Sequence, residues 1–227
     1  MFKVKNEAER ATVYLYGTIG YDWWGDDDSN TAKTFSQQLD AMGGKPLDIR
    51  IDSVGGDVYE AFAIASAIQR YEGETTAHID GLAASAASYI AVMADRVVMS
   101  DFAQFMIHNA WVSMSGNAAE LMDMAAQLDS LDGTIAGIIA ARSGMELEDV
   151  RGAMGAETWY SAQEAVEAGL ADEVVKTEKR MAACIDRAIL SGYKHVPEGL
   201  IEKSHAVDKV SAEHALVLGN RVYRKKE

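Results

Sequence analysis

Twice in succession between residues 47 and 94 a short β-type run passes through a turn of small residues into an apolar helix. The first unit runs from Leu47-Asp48-Ile49-Arg50-Ile51-Asp52 through Ser53-Val54-Gly55-Gly56 into a helix that starts near Asp57 and turns Val58, Phe62, Ala65 and Ile68 inward. The second runs from Thr75-Thr76-Ala77-His78-Ile79-Asp80 through Gly81-Leu82-Ala83-Ala84-Ser85 into the helix Ala86 to Ala94. Strands joined by helices of this length pair in parallel, because a hairpin cannot connect them. The chain is therefore expected to be an α/β protein whose sheet is laid down by βαβ steps.

The flanking sequence extends this pattern. Residues 12 to 18 are rich in β-branched and aromatic side chains and read as a first strand. An exposed acidic loop is expected at 21 to 30, where Trp23 and Trp24 read as packing or interface residues, and a helix over 31 to 42 ends at Gly43-Gly44. Short strands are expected at Arg96 to Met99 and Gln104 to Ile107. A long helix should begin at Asn117, where Asn117 and Glu120 make a capping box, and run to about Arg142 before Gly144. Leu121, Met124, Leu128, Leu131, Ile135 and Ile138 form its apolar stripe. A short helix near Glu146 to Met154, a capped helix from Ser161 to Ala168 and a strand around Glu173 to Val175 close the patterned region. Residues 178 to 191 could form one more helix, and beyond Ser191 the pattern is weak enough to expect a flexible or partner-dependent tail.

Composition excludes several classes. The 227 residues carry a formal charge of −14, and 48% of them are hydrophobic. No apolar run approaches the roughly 18 to 20 residues needed to span a bilayer, and the amino terminus lacks the apolar core of a secretory signal. A cytoplasmic protein without a membrane partner is expected. The single cysteine, Cys184, cannot form an internal disulfide. Strong acidity disfavours nucleic acid as a partner. Neither a GxxxxGK[ST] loop, a GxGxxG turn nor a metal-ligand spacing occurs, so no metal and no cofactor is expected. The charge is uneven: residues 176–227 hold 11 Lys and Arg against 7 Asp and Glu, a net of +4, which leaves −18 on residues 1–175. That shift is the clearest domain-boundary signal.

Three features could carry chemistry. Ser85 lies at a strand-to-helix handover among small residues, where its hydroxyl is accessible and the following amide, Ala86 N–H, could hold an oxyanion. Gly55-Gly56 occupies the equivalent turn of the preceding unit and could supply a second amide. His108 ends the strand Phe105-Met106-Ile107, where one ring nitrogen can serve as a base and the other can be oriented. Taken singly, these read as a helix N-cap, a tight turn and a hydrogen-bonded edge residue.

Together they resemble the proteolytic subunit of the Clp protease, the ClpP family. Asp52-Ser53-Val54-Gly55-Gly56 resembles that family's N-S-P-G-G segment, and Gly81-Leu82-Ala83-Ala84-Ser85-Ala86-Ala87-Ser88 resembles the G-Q-A-A-S-M-G-A segment around its nucleophile. Met106-Ile107-His108-Asn109 resembles the M-I-H-Q segment, and residues 160 to 172 resemble the stretch after the third triad member. The match covers roughly residues 10 to 175, in the right order. It implies a ClpP/crotonase-type fold of repeated β-β-α units, with the helix from Asn117 projecting as an oligomerisation handle. It also implies a peptidase domain at 1–175, followed by a basic extension at 176–227.

The resemblance further implies serine peptidase chemistry, with Ser85 as nucleophile, His108 as base, and amides of Gly55 or Gly56 and of Ala86 as the oxyanion hole. The family's third residue is an aspartate; here that position is Glu157, with Asp149 and Asp172 as other candidates. Val54 replaces the usual proline and Ala86 the usual methionine, and neither change removes a required amide. Partners implied are protein or peptide substrates and further copies of the chain, in rings that are commonly heptameric and stacked in pairs. An ATPase unfoldase is a further implied partner, although the amino-terminal segment is shorter than the family's axial loops. Glu157-Thr158-Trp159 and the basic tail resemble the prohead (head-maturation) proteases of tailed phages, whose substrates are capsid and scaffold proteins. A housekeeping-type Clp subunit, a crotonase-like acyl-CoA enzyme and a catalytically silent scaffold subunit are the alternatives.

Overall fold

A computed structural model describes residues 4–6, 9–20, 30–176, 192–197, 215–218 and 221–224. The chain divides into two compact units, Met1–Glu178 and Lys179–Glu227. In the first, β1 (Val4–Asn6), β2 (Ala11–Ile19), β3 (Leu47–Gly56), β4 (Thr75–Ala84), β5 (Arg96–Ser100) and β8 (Glu173–Val175) lie side by side in that order. β2, β3, β4, β5 and β8 run parallel, as the βαβ spacing requires, and β1 adds antiparallel to β2. β6 (Gln104–Ile107) pairs in parallel with β4, and β7 (Thr158–Ser161) pairs antiparallel with β6.

β2 and β3 alternate between buried and more exposed positions, the period-2 signature of a sheet with one covered face. Ala11, Val13 and Leu15 of β2 and Leu47, Ile49 and Ile51 of β3 are fully buried. They share one core with Phe35 and Leu39 of α1 (Ala32–Met42), Ile64 and Ile68 of α2 (Val58–Gln69) and Ile90 of α3 (Ala86–Ala91). The alternate positions carry a polar lattice. Arg10 reaches Asp48, and Arg50 forks onto Asp80 of β4, whose other donor is the Tyr16 hydroxyl at 2.6 Å.

β4 changes neighbour along its length. Thr76–Ile79 pair with β5, whereas Leu82–Ala84 pair with β6. Between the two stretches its register against β3 shifts, from Ile51↔Ile79 to Ser53↔Ala83. This irregularity turns the strand end toward β6. Gly81–Ala84 and Ser53–Gly56, expected as turns, are thus the terminal residues of extended strands.

α4 (Ala118–Ser143) starts at the expected Asn117–Glu120 capping box and ends at Gly144, whose φ of 74° suits a residue without a Cβ. Only its second half is buried, through Asp132, Ile135, Ala136 and Ile139. Leu121 and Met122, part of the apolar first half, are 45% and 68% exposed. The helix therefore does project from the body, and among the described residues Leu121, the first residue of the expected stripe, stays exposed. α5 (Leu147–Gly155) and α6 (Ala162–Glu167) follow, α6 beginning at a second capping box, Ser161 with Glu164.

β1 and β7 are additions to the expected elements. β7 is only four residues long and merges into the cap of α6, so its local pattern reads as helix start. In the second unit β9 (Ala215–Leu218) and β10 (Arg221–Arg224) pair antiparallel, where no element is expected beyond Ser191. Their separation by Gly219-Asn220 is a hairpin signal in the sequence. The expected acidic loop at 21 to 30, all but Asn30, and the expected helix at 178 to 191 lie outside the described residues. Among the described residues no helix is long and apolar enough to cross a membrane, and no cluster of three His, Cys, Asp or Glu could hold a metal ion.

Candidate active site

Strand register brings the candidate residues together. Ala84 on β4 stands opposite Met106 on β6, and Ile107 on β6 stands opposite Thr158 on β7. One residue beyond these pairs lie Ser85, His108 and, in the reverse direction, Glu157. Three residues distant in sequence thus meet at the common end of three neighbouring strands.

Ser85 occupies the N-cap position of α3, yet its side chain makes no capping bond. Its hydroxyl instead meets His108 Nε2 at 2.7 Å. The backbone there has φ 54° and ψ −123°, a conformation that non-glycine residues avoid and that costs about 1–3 kcal/mol. Local contacts hold it: Ser85 N–H donates to Met106 O at 3.0 Å, and Ser85 O accepts from Ser88 N–H at 2.9 Å and Ser88 Oγ at 2.6 Å. This sharp turn points Oγ away from the helix amides and toward the histidine.

The glycine pair divides its duties. Gly55 has φ 91°, and a Cβ there would lie 2.8 Å from Ala86 N and from Ser85 Cβ and 2.7 Å from Ala84 O. Only a residue without a side chain lets the β3 end pass this close to the serine turn. The Gly55 N–H already donates to Ser53 Oγ at 3.1 Å, and Ser53 Oγ in turn donates to Gly17 O at 2.6 Å. Of the two expected glycine amides, Gly55's is therefore engaged within the turn. Ser53, two residues before the glycine, is the residue that sequence reasoning missed here.

His108 is partly buried, which disfavours its charged form and lowers its pKa below the usual imidazole value, while the Glu157 carboxylate opposes that shift. Glu157 is 9% exposed and has φ 52°, so its backbone too is held in a left-handed conformation. The Trp159 indole N–H donates to its Oε1 at 3.4 Å. The other two acids are placed differently: Asp149 is exposed on α5, and Asp172 accepts from Val97 N–H at 2.6 Å and pairs with Arg142. Of the three candidates, Glu157 is the one whose charge acts on the histidine.

Next to the β3–β4 irregularity lies a carboxylate of the Asp52–Gly56 segment to which the family resemblance assigns no role. Asp52 accepts from the Leu82 N–H, but one of its oxygens is buried without a partner. Burial, with the Asp80 charge in support, pushes its pKa up to about 6. Its sequence signal is its place at the head of the Asp52–Gly56 segment, where the family segment it resembles has asparagine.

A parallel sheet entered by βα turns, with a serine–histidine pair at adjoining strand ends and a projecting helix, defines the ClpP/crotonase type of α/β fold. The chain belongs to the Clp protease family: the family described as Clp protease matches residues 24–178. It is 32% identical over 154 residues to the ATP-dependent Clp protease proteolytic subunit of Bacteroides fragilis, across 65% of this chain and 74% of that one. It is also 32% identical over 137 residues to the ATP-dependent Clp protease proteolytic subunit 2 of Treponema denticola, across 60% and 68% of the two chains. In fold it resembles a solved ClpP1 mutant from Listeria monocytogenes, with a TM-score of 0.62 and 24% identity, over 74% of this chain and 92% of that one.

Proposed function

We propose that the chain is a serine endopeptidase that works through an acyl-enzyme. The observation that carries this reading is the 2.7 Å contact between His108 Nε2 and Ser85 Oγ, at a serine held out of its capping role by a strained backbone. A serine hydroxyl is a weak nucleophile until a neighbouring base takes its proton, and burial keeps this imidazole neutral and able to do so. For Nε2 to accept, the ring proton sits on Nδ1, and Glu157 stabilises the imidazolium that forms.

Ser85 Oγ attacks the scissile carbonyl carbon while its proton passes to Nε2. The carbonyl oxygen becomes an oxyanion held by the amides of Gly56 and Ala86, the Gly55 amide being turned inward to Ser53. The carbon–nitrogen bond breaks, His108 gives its proton to the leaving amine, and water then releases the acyl group by the same steps in reverse. Glutamate in place of the family's aspartate adds one methylene, and the left-handed backbone at Glu157 sets where the longer side chain starts.

The same reading extends to assembly and substrate. The uncovered apolar half of α4 supports a homo-oligomer in which this face is buried, in rings as the family resemblance implies. We assign the basic region 176–227 a separate role in partner recognition, and a phage capsid or scaffold protein as the substrate in a cytoplasmic assembly setting. Glu157-Thr158-Trp159 and the +4 tail support that assignment over an ATPase-fed housekeeping subunit. Covalent labelling by a fluorophosphonate probe tests the chemistry: wild-type protein should label at Ser85, and Ser85→Ala should not. Persistent labelling of Ser85→Ala would overturn the assignment.

A further inference from the structure

Leu128, Asp132, Ile135, Ala136 and Ile139 of α4 recur at helical spacing, and Asp132 is the one acid on the buried stretch, 8% exposed among aliphatic neighbours. Burying a carboxylate is costly unless it meets a donor. The donor is found outside the helix: the backbone N–H of Ala110 reaches Asp132 Oδ1 at 2.7 Å.

Ala110 lies two residues after His108, in a stretch from 108 to 116 that has no helix or strand and is exposed over residues 111–116. Ala110 itself packs against the core. The Asp132 bond therefore ties the chain to α4 just where it leaves β6 and loses the support of the sheet. α4 in turn packs against α5, with the exposed Asp129–Arg151 ion pair beside that contact, and α5 runs directly into Ala156 and Glu157. One frame thus holds the segment leaving His108 and the segment arriving at Glu157.

We infer that Asp132 is a positioning residue for catalysis, fixing the His108 imidazole against Ser85 by anchoring the Ala110 amide to the handle helix. This rests on His108 being the base. Displacement of a reacting group by about 1 Å costs on the order of a hundredfold in rate, so a single anchoring bond at this point has a kinetic consequence out of proportion to its strength. Because the anchor needs only an acceptor oxygen, asparagine should replace aspartate and alanine should not.

The test measures the second-order rate of fluorophosphonate labelling of full-length protein, with melting temperature and oligomeric state recorded for each variant. Asp132→Ala should label at least about tenfold more slowly than wild type, and Asp132→Asn should return to within about threefold. Wild-type labelling in Asp132→Ala, or an Asp132→Asn rate as low as that of alanine, would overturn the inference. His108→Ala separates the two levels: it should lose labelling, and if it does so while Asp132→Ala does not, the anchor fails alone. Labelling of His108→Ala at the wild-type rate would remove the base and the anchor together. Should Asp132→Ala not fold, hydrogen exchange on the wild-type protein decides. The Ala110 amide should exchange at least about a hundredfold more slowly than the amides of residues 113–115, and equal rates would overturn the anchor.

Discussion

Two successive strand-to-helix turns occupy equivalent places in this fold and handle the same local problem in opposite ways. At the first, a left-handed backbone falls on Gly55, and Asp57 caps α2 by accepting from the amides of Tyr59 and Glu60, both at 2.9 Å. At the second, the positive φ falls on Ser85, whose side chain leaves the helix amides uncapped in order to meet His108. The first turn is built for stability, and the second gives up a cap and accepts backbone strain to present a hydroxyl. Each depends on the other, since the absent side chain of Gly55 is the space in which the serine turn sits.

The largest expected effect comes from filling that space. Gly55→Ala places a Cβ against Ala84 O, Ala86 N and Ser85 Cβ at 2.7–2.8 Å and forces an alanine into φ 91°. It should lower stability by about 3 kcal/mol and slow fluorophosphonate labelling by about a hundredfold or more. Normal labelling would mean that the two turns are independent.

The caps come next. Asp57→Ala should lower stability by about 1–2 kcal/mol in a denaturant titration and leave the labelling rate within about twofold, because it removes a stabilising cap and no reacting group. Ser85→Gly should run the other way. Labelling is abolished, but the protein should be more stable than Ser85→Ala by about 1 kcal/mol, since glycine occupies φ 54° without strain. Equal stability of the two Ser85 variants would show that no strain is stored there.

The contrast between the turns also explains which parts of the site were legible in the sequence. The βαβ steps, the capping boxes at Asn117 and Ser161 and the parallel core follow from local periodicity, and the structure carries them at nearly the expected residues. Ser85, His108 and Glu157 come from ordered motifs, but their meeting depends on a register between β4, β6 and β7 that no local pattern encodes. β7 itself is hidden, because four residues leading into a helix cap do not alternate enough to read as a strand. Ser53 and Asp132 are missed for a different reason. Each acts on a backbone group distant in sequence, Gly17 O and Ala110 N–H, which spacing cannot reveal; only Ser53 also has a local partner, the Gly55 N–H two residues on. Asp132 did leave a trace, as a charge at a buried position of an apolar stripe. The expected stripe of α4 errs in the other direction, since Leu121 satisfies the helical period but remains 45% exposed among the described residues.

The finest difference at the second turn is electrostatic. Burial lowers the His108 pKa and Glu157 raises it, with burial the larger influence, so the neutral base persists to a pH below the ordinary imidazole midpoint of about 6.5. Labelling at Ser85 should therefore rise with pH through a midpoint under that value. Glu157→Gln removes the charge that favours the imidazolium, and its midpoint should move lower still, even as the plateau rate falls through loss of orientation. Stability follows the same sign. Below pH 6.5 the unfolded histidine takes up a proton that the folded one resists, so its contribution to stability is complete above pH 6.5 and declines as the pH falls toward the lowered value. An upward shift of the labelling midpoint in Glu157→Gln would place the controlling carboxylate elsewhere. An unchanged midpoint would confine Glu157 to a packing role beside Trp159.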